Sequence, residues 1–281
     1  MDASDTKLDF DPPTVLAALT ESTAHLLVTA EGLDDQAVRE PSLLPDWTRA
    51  HVLTHAARNA DALRNLLTWA ATGNRTDMYP SLEARDQAIK NGAERDATQL
   101  AADLREASER FAETAARLEP EHWANSVERR IGGPQQASRI PWWRLEEVLI
   151  HHADLDAGFT PAHWPAQFTG PELDLVTARF NNPELIKEAP AFRLHTEDTE
   201  RWLSIRCEPV TDPGAEPGLE SGTGLEPGTG LAPGLDPAAD ASIPTIEGPE
   251  AALLAWLIGR TKGDGLNVEP RGPLPALPVW M

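Results

Sequence analysis

TRAHVLTHAARNADALRNLLTWAAT, residues 48–72, decides the fold. Its apolar residues Val52, Leu53, Ala56, Ala60, Leu63, Leu66, Leu67 and Ala70 recur three and four apart with charged residues between them, which is the spacing of a helix with one buried stripe. Gly73 ends it. Such a stripe needs partners, and the flanking sequence supplies three. From Pro13 to Leu33, Val15, Leu16, Leu19, Leu26 and Leu27 stand at helical spacing behind a Pro12-Pro13 start. A third helical run, with breaks, extends from Leu82 to Leu118 and is stopped by Pro120; its core face includes Leu100, Leu104, Phe111 and Ala115. A loop holding Gly132, Gly133 and Pro134 then leads to a fourth helix from near Pro141, in which Trp142 to Ala157 reads as buried. Four antiparallel helices around a common interior, over residues 1–165, are the economical assembly.

Past Pro165 the texture changes. Pro171 to Asn181 is a helical stretch, whereas Phe192 to His195 and Trp202 to Cys207 read as short strands, with Leu203, Ile205 and Cys207 alternating against polar neighbours. A strand at Pro244 to Glu247 precedes a helix from Pro249 to Thr261 with Leu253, Leu254, Trp256, Leu257 and Ile258 as its core. Residues 166–281 are therefore expected to form a small α+β domain. Between its strands, at about 208–241, lies an approximate six-residue repeat (Gly224-Leu225-Glu226-Pro227-Gly228-Thr229), rich in Pro, Gly, Glu and Asp. Such a composition buries too little to offset its ordering entropy, so a disordered insertion is expected.

The chain has 281 residues, 45 acidic and 24 basic, for a net charge of −21. That balance excludes nucleic acid as the main partner, because a phosphate-binding surface needs clustered Lys and Arg. No apolar run approaches the ~20 residues of a membrane span, and the polar, acidic start does not read as a secretory signal. The lone cysteine, Cys207, has no intramolecular partner, which fits a reducing cytoplasm. Cys207 in its strand pattern reads as a buried, inert thiol. Nothing in the sequence fixes an oligomeric state, and a monomer is compatible with it.

Chemistry concentrates on the second and fourth helices. Glu147 and His151 are four apart, so their side chains project about 40° from one another, one turn along the axis, where a single ion can meet both. Glu146 is one residue out of phase, and His152 points away from Glu147. His51 and His55 stand on or near the apolar face of the second helix. Ligands from two facing helices converge in a bundle core. His55, Glu147 and His151 would make a two-histidine, one-carboxylate set with open positions, the mark of a catalytic metal. Zinc is the first candidate, and ferrous iron uses the same ligand types. The plainer reading of a Glu–His pair is a solvated or hydrogen-bonded helix face. His51 reads as a supporting residue, His152 as a core histidine with one hydrogen bond, and Asp154 as an anchor to a neighbouring helix.

At these residues the sequence resembles a known family. Leu44-Pro45-Asp46-Trp47-Thr48-Arg49-Ala50-His51-Val52-Leu53-Thr54-His55, continuing to Asn59, is similar to the N-terminal signature of the mycothiol-dependent maleylpyruvate isomerases, a branch of the DinB-like metal-binding bundles. Glu147-Val148-Leu149-Ile150-His151-His152-Ala153-Asp154-Leu155 looks like their second metal segment. Met78-Tyr79-Pro80-Ser81-Leu82-Glu83-Ala84-Arg85 resembles the loop after their second helix, and Gly259-Arg260 with Gly263-Asp264-Gly265 resembles their C-terminal arginine segment. The closing Pro278-Val279-Trp280-Met281 fits as well. The repeat and His152, where some members have a small residue, depart from the pattern.

The resemblance implies an α+β chain: a DinB-like four-helix bundle followed by a domain similar to sterol-carrier proteins. It implies zinc, or another divalent metal, on His55, Glu147 and His151, mycothiol as thiol cosubstrate, and substrate roles for Arg85 and Arg260. The activity implied is isomerisation of maleylpyruvate to fumarylpyruvate through a zinc-bound thiolate. Two other functions use the same residues: a mycothiol-dependent transferase or hydrolase acting on another electrophile, and a non-catalytic, anti-sigma-like zinc protein. Paired anion-binding arginines weigh against the last.

Overall fold

The computed structural model describes residues 10–129, 133–206 and 243–278. The chain is α+β and divides into two compact units, Met1–His163 and Trp164–Met281.

The first unit is built on α1 (Pro12–Gly32), α2 (Arg49–Thr72), α3 (Leu82–Gly92), α4 (Ala97–Ala115) and α5 (Ile140–Asp154). In it α2 lies against α4 and α5, and α1 closes the ring by contacting the same two helices. The interior is aliphatic: Leu26 from α1, Leu53, Leu63, Leu66 and Leu67 from α2, Leu100 and Leu104 from α4, and Val148 from α5 are all within 1 % of full burial. Each start has a local cause. Asp11 accepts a hydrogen bond from the Thr14 amide ahead of α1, and Pro12 and Pro13 occupy the first turn, where no amide is needed. Ser81 accepts from the Ala84 amide to open α3. Gly73 ends α2 with φ of 72°, a conformation that suits residues without a Cβ.

The third helical run is two helices, not one. Gly92 ends α3 where it presses on the Thr54 side chain of α2, an approach that leaves no room for a Cβ. Asp96 then restarts the helix: its carboxylate accepts from the Gln99 amide at 2.8 Å, and the Gln99 side chain answers the Asp96 amide at 3.3 Å. Only α4 joins the four-helix ring, while α3 packs on α2 beside it. The expected loop before α5 contains a short antiparallel ribbon, β1 (Ser126–Glu128) with β2 (Pro134–Gln136), in the register Val127 to Gln135.

In the second unit, β3 (Phe192–Thr196), β4 (Arg201–Ile205), β5 (Thr245–Gly248) and β6 (Asn267–Glu269) form one sheet in the order β4-β3-β5-β6. The β3–β5 pair is parallel and the other two pairs are antiparallel. Helices α6 (Ala166–Asn181) and α7 (Glu250–Leu257) pack on each other and on the sheet. Between them lie Phe168, Leu173 and Phe180 of α6, Leu253 and Leu254 of α7, and Phe192, Leu194, Ile205 and Ile246 of the sheet, all fully buried. The helix expected from Pro171 begins earlier, at Ala166, with Pro171 inside it. Strand β6 was not expected: three residues, Asn-Val-Glu, carry no readable alternation. The repeat at 208–241 and Cys207 lie outside the described residues. No described helix is long and apolar enough to cross a membrane.

Candidate metal centre

Helix α2 brings His55, and α5 brings Glu147 and His151, to one point. The Nε2 of His55 lies 3.0 Å from Glu147 Oε2 and 3.0 Å from His151 Nε2, and His151 Nε2 lies 3.2 Å from the same Glu147 oxygen. Ligand atoms ~2.1 Å from a common ion, at angles near those of tetrahedral or octahedral coordination, stand about 3.0–3.4 Å apart. Two imidazole nitrogens facing one another at 3.0 Å need a proton or a cation between their lone pairs. Two histidines and a carboxylate are also the donor set that zinc and ferrous iron accept. No other group of three or more such side chains converges this way among the described residues. The His55 and His151 side chains are 7 % and 13 % exposed, whereas Glu147 keeps 28 %, so solvent reaches the cluster past the carboxylate.

Neighbours fix each ligand. His151 Nδ1 is 2.8 Å from Asp154 Oδ2, a carboxylate with no exposed surface. That contact places the Nδ1 hydrogen on the Asp154 side and aims the Nε2 lone pair at the cluster. Asp154 thus faces the histidine one turn back on its own helix, and its backbone carbonyl accepts from the Leu43 amide in the loop before α2. Trp47 meets the His55 ring edge-on with ring centres 5.6 Å apart. Arg85, in α3, brings Nη2 to 3.3 Å from His55 Nδ1, pairs with Asp86 and lies 6.0 Å over the Tyr79 ring.

The electrostatics are mutual. Burial alone would push the Glu147 carboxyl up, but hydrogen bonds from His151 and His55 hold it well below its ordinary range. Burial likewise works against charging His151, yet Asp154 and Glu147 raise it to about 9. His55 is lowered, first by burial and then by His151, with Glu147 opposing. The cluster by itself is therefore an anion, an imidazolium and a neutral imidazole.

The other sequence candidates have partners of their own. His51 turns back on its own helix end, where its Nδ1 accepts from the Thr48 amide at 3.2 Å, so it caps α2. His152 stacks on Phe159 at 3.8 Å and meets the Thr29 hydroxyl at 2.7 Å, a core histidine with one hydrogen bond. Arg260 belongs to the second unit, just after α7, where its Nη1 donates to the Ile258 carbonyl at 2.9 Å. Sequence reasoning missed Arg144, Tyr79 and the orienting part of Asp154. Asp154 was findable from its spacing of three after His151; Arg144, three before Glu147, looks from its type like a surface cation.

Residues 17–156 match the family model described as the mycothiol maleylpyruvate isomerase N-terminal domain. Two solved structures are similar to the whole chain: the crystal structure of the mycothiol-dependent maleylpyruvate isomerase, and that of a histidine-to-alanine mutant of it. Each is 25 % identical with a TM-score of 0.77, covering 96 % of this chain and 97 % of the other. No curated protein sequence matches.

Proposed function

Because residues 17–156 belong to the mycothiol maleylpyruvate isomerase N-terminal domain family, we propose that this chain is a mycothiol-dependent cis–trans isomerase converting maleylpyruvate to fumarylpyruvate. One observation carries the reading: three donor atoms from α2 and α5 meet within 3.2 Å of one another, in a chain similar along 96 % of its length to an isomerase of that name.

In this reading His55, Glu147 and His151 hold zinc, or another divalent metal. When bound, a dication lets an added thiol exist as thiolate at neutral pH. Rotation about a carbon–carbon double bond requires that its π character be removed. The thiolate of the cosubstrate forms a C–S bond at the alkene carbon β to the ketone, and the π electrons move to the ketone oxygen as an enolate. The resulting single bond turns, the electrons return, and the C–S bond breaks to release the trans alkene and the thiolate. No net proton or electron is consumed.

The chain's residues orient and stabilise. Asp154 holds the His151 ring in one tautomer, and Trp47 and Arg85 restrain His55 on two sides. Arg85 offers a planar fork of N–H donors to a carboxylate or enolate oxygen, and Arg260 is the second arginine whose guanidinium could bind such an oxygen. The test is absorbance-monitored turnover of maleylpyruvate by zinc-loaded protein, with and without mycothiol. Thiol-dependent loss of the cis isomer is expected, and no turnover with either would end the proposal. Arg260→Ala should cut turnover at least a hundredfold with metal content unchanged, and unaltered turnover would remove Arg260 from the site.

A further inference from the structure

Arg144 lies three residues before Glu147 on α5 and is 1 % exposed. Its Nη1 donates to the Ala56 carbonyl at 2.8 Å and to Asn59 Oδ1 at 3.0 Å, and its Nη2 reaches the Ser108 hydroxyl at 3.5 Å. Ala56 follows His55 directly, and Asn59 stands one turn farther along α2. All three acceptors are neutral. Among the described residues no carboxylate ion-pairs with this guanidinium, which is a costly way to bury a charge. An apolar side chain of similar length would fill the same space without that cost.

The surroundings show where the charge is felt. Three groups of opposing tendency reach Arg144: Glu147 on its own helix, Tyr79 in the loop between α2 and α3, and Asp61 on α2. Asp61 is already shared by Arg58 at 3.2 Å and Arg110 at 3.0 Å. Tyr79 is a phenol that burial keeps neutral. From α4 the Ser108 hydroxyl faces the guanidinium at 3.5 Å. That leaves Glu147, whose charge is divided between His55 and His151. The guanidinium stays a cation at neutral pH even though burial pushes it down to about 10.

We propose that Arg144 is a positioning residue that sets the electric field at the His55–Glu147–His151 cluster, a fixed positive charge, one turn from Glu147 and bonded to the turn bearing His55, that favours an anionic sulfur at the open position. The idea rests on the thiol-dependent reading given above. A dication with one carboxylate presents a single net positive charge to the incoming sulfur. A cation held in a dry, prearranged position adds to that attraction without reorganisation. Its neutral hydrogen bonds to α2 keep the charge from being quenched and hold the turn bearing His55 against the turn bearing Glu147.

The test uses the full chain loaded with cobalt(II), whose absorption reports both geometry and sulfur ligation. Mycothiol is titrated against pH in wild type, Arg144→Met and Arg144→Lys, with cobalt content measured in each. Arg144→Met should keep one cobalt and raise the apparent pKa of the bound thiol by about one unit or more, a tenfold weaker thiolate at fixed pH. Arg144→Lys, which keeps the charge but loses the fork, should fall between the two. Equal thiol pKa values in wild type and Arg144→Met would overturn the assignment; if Arg144→Met fails to fold, Arg144→Gln, which removes the charge but keeps a polar side chain, decides it by the same comparison. Azide, an anion without sulfur, serves as the second probe. If wild type binds azide but no thiol, the thiol-dependent reading falls, and Arg144 is then decided by whether Arg144→Met weakens azide binding about tenfold or leaves it unchanged.

Discussion

Asp154 shows how much one buried side chain can decide. Its carboxylate receives the Nδ1 hydrogen of His151, which fixes the tautomer, the ring angle and the basicity of the opposite nitrogen. Asp154→Asn offers the wrong hydrogen-bond partner on one side and removes a charge. Zinc affinity should fall about 10–100-fold, as outer partners of metal ligands commonly show, with the helical content of the far-ultraviolet spectrum unchanged; a competition titration with a chromophoric chelator measures it. His151 gives a second expectation. Raised to about 9 by Asp154 and Glu147, it is an imidazolium at pH 7 in metal-free protein. Zinc must expel that proton to reach Nε2. Affinity should therefore climb about tenfold per pH unit from 7 towards 9 and then level off. Calorimetry in buffers of different ionisation enthalpy should record one proton released from His151 per zinc at pH 7, and none would contradict the assignment.

At the scale of elements, the site depends on how α2 is tied to the end of α5. Arg49, in the first turn of α2, donates through Nε to the Leu155 carbonyl and through Nη2 to that of Asp156, each at 2.7 Å, and pairs with Glu40 at 2.6 Å. One guanidinium thus satisfies two carbonyls just past the end of the helix that carries two ligands and anchors the helix that carries the third. Arg49→Ala should cost about 2–3 kcal/mol, the range for losing charge-assisted hydrogen bonds, read by urea denaturation, and should weaken zinc binding as well. The same scale shows what the sequence could tell. Long amphipathic stretches such as α2, and the spacing of Glu147 and His151, were legible because period and burial agree there. The division of α3 from α4 was written in Gly92 and in the Asp96–Gln99 capping pair, yet the Ala-rich run around it hides a break. The β1–β2 ribbon and β6 have three residues per strand, too few for alternation, and exist through their partners. Arg144 and Tyr79 were not legible as site residues, because their placement depends on contacts between segments far apart in the chain.

At the scale of the molecule, stability should carry the imprint of two histidines shifted in opposite senses. His152 is pushed down to about 4, mainly by burial and further by His25 and His163. The unfolded chain binds that proton more readily than the folded one, so stability is full above about pH 6.5 and declines as pH falls towards 4. His151, raised to about 9, acts the other way and in another window: in metal-free protein its contribution is complete below about 6.5 and is lost as pH rises through 9. Urea midpoints should accordingly peak near pH 6–7. In His152→Gln the acid-side decline between 6.5 and 4 should flatten in part, His55, also lowered, keeping its own share, while the alkaline side is unaltered; an unchanged acid limb would mean that His152 makes no contribution to it.

His55 and Glu147 stand 92 positions apart in the chain and 3.0 Å apart in space. An ion gripped by both works as a removable staple across that long span, and a permanent link closing a loop of comparable length restricts an unfolded chain by at most about 4–5 kcal/mol. Metal supply would then govern survival against heat and proteases as well as turnover, so a cell starved of the ion would lose the protein itself along with its activity.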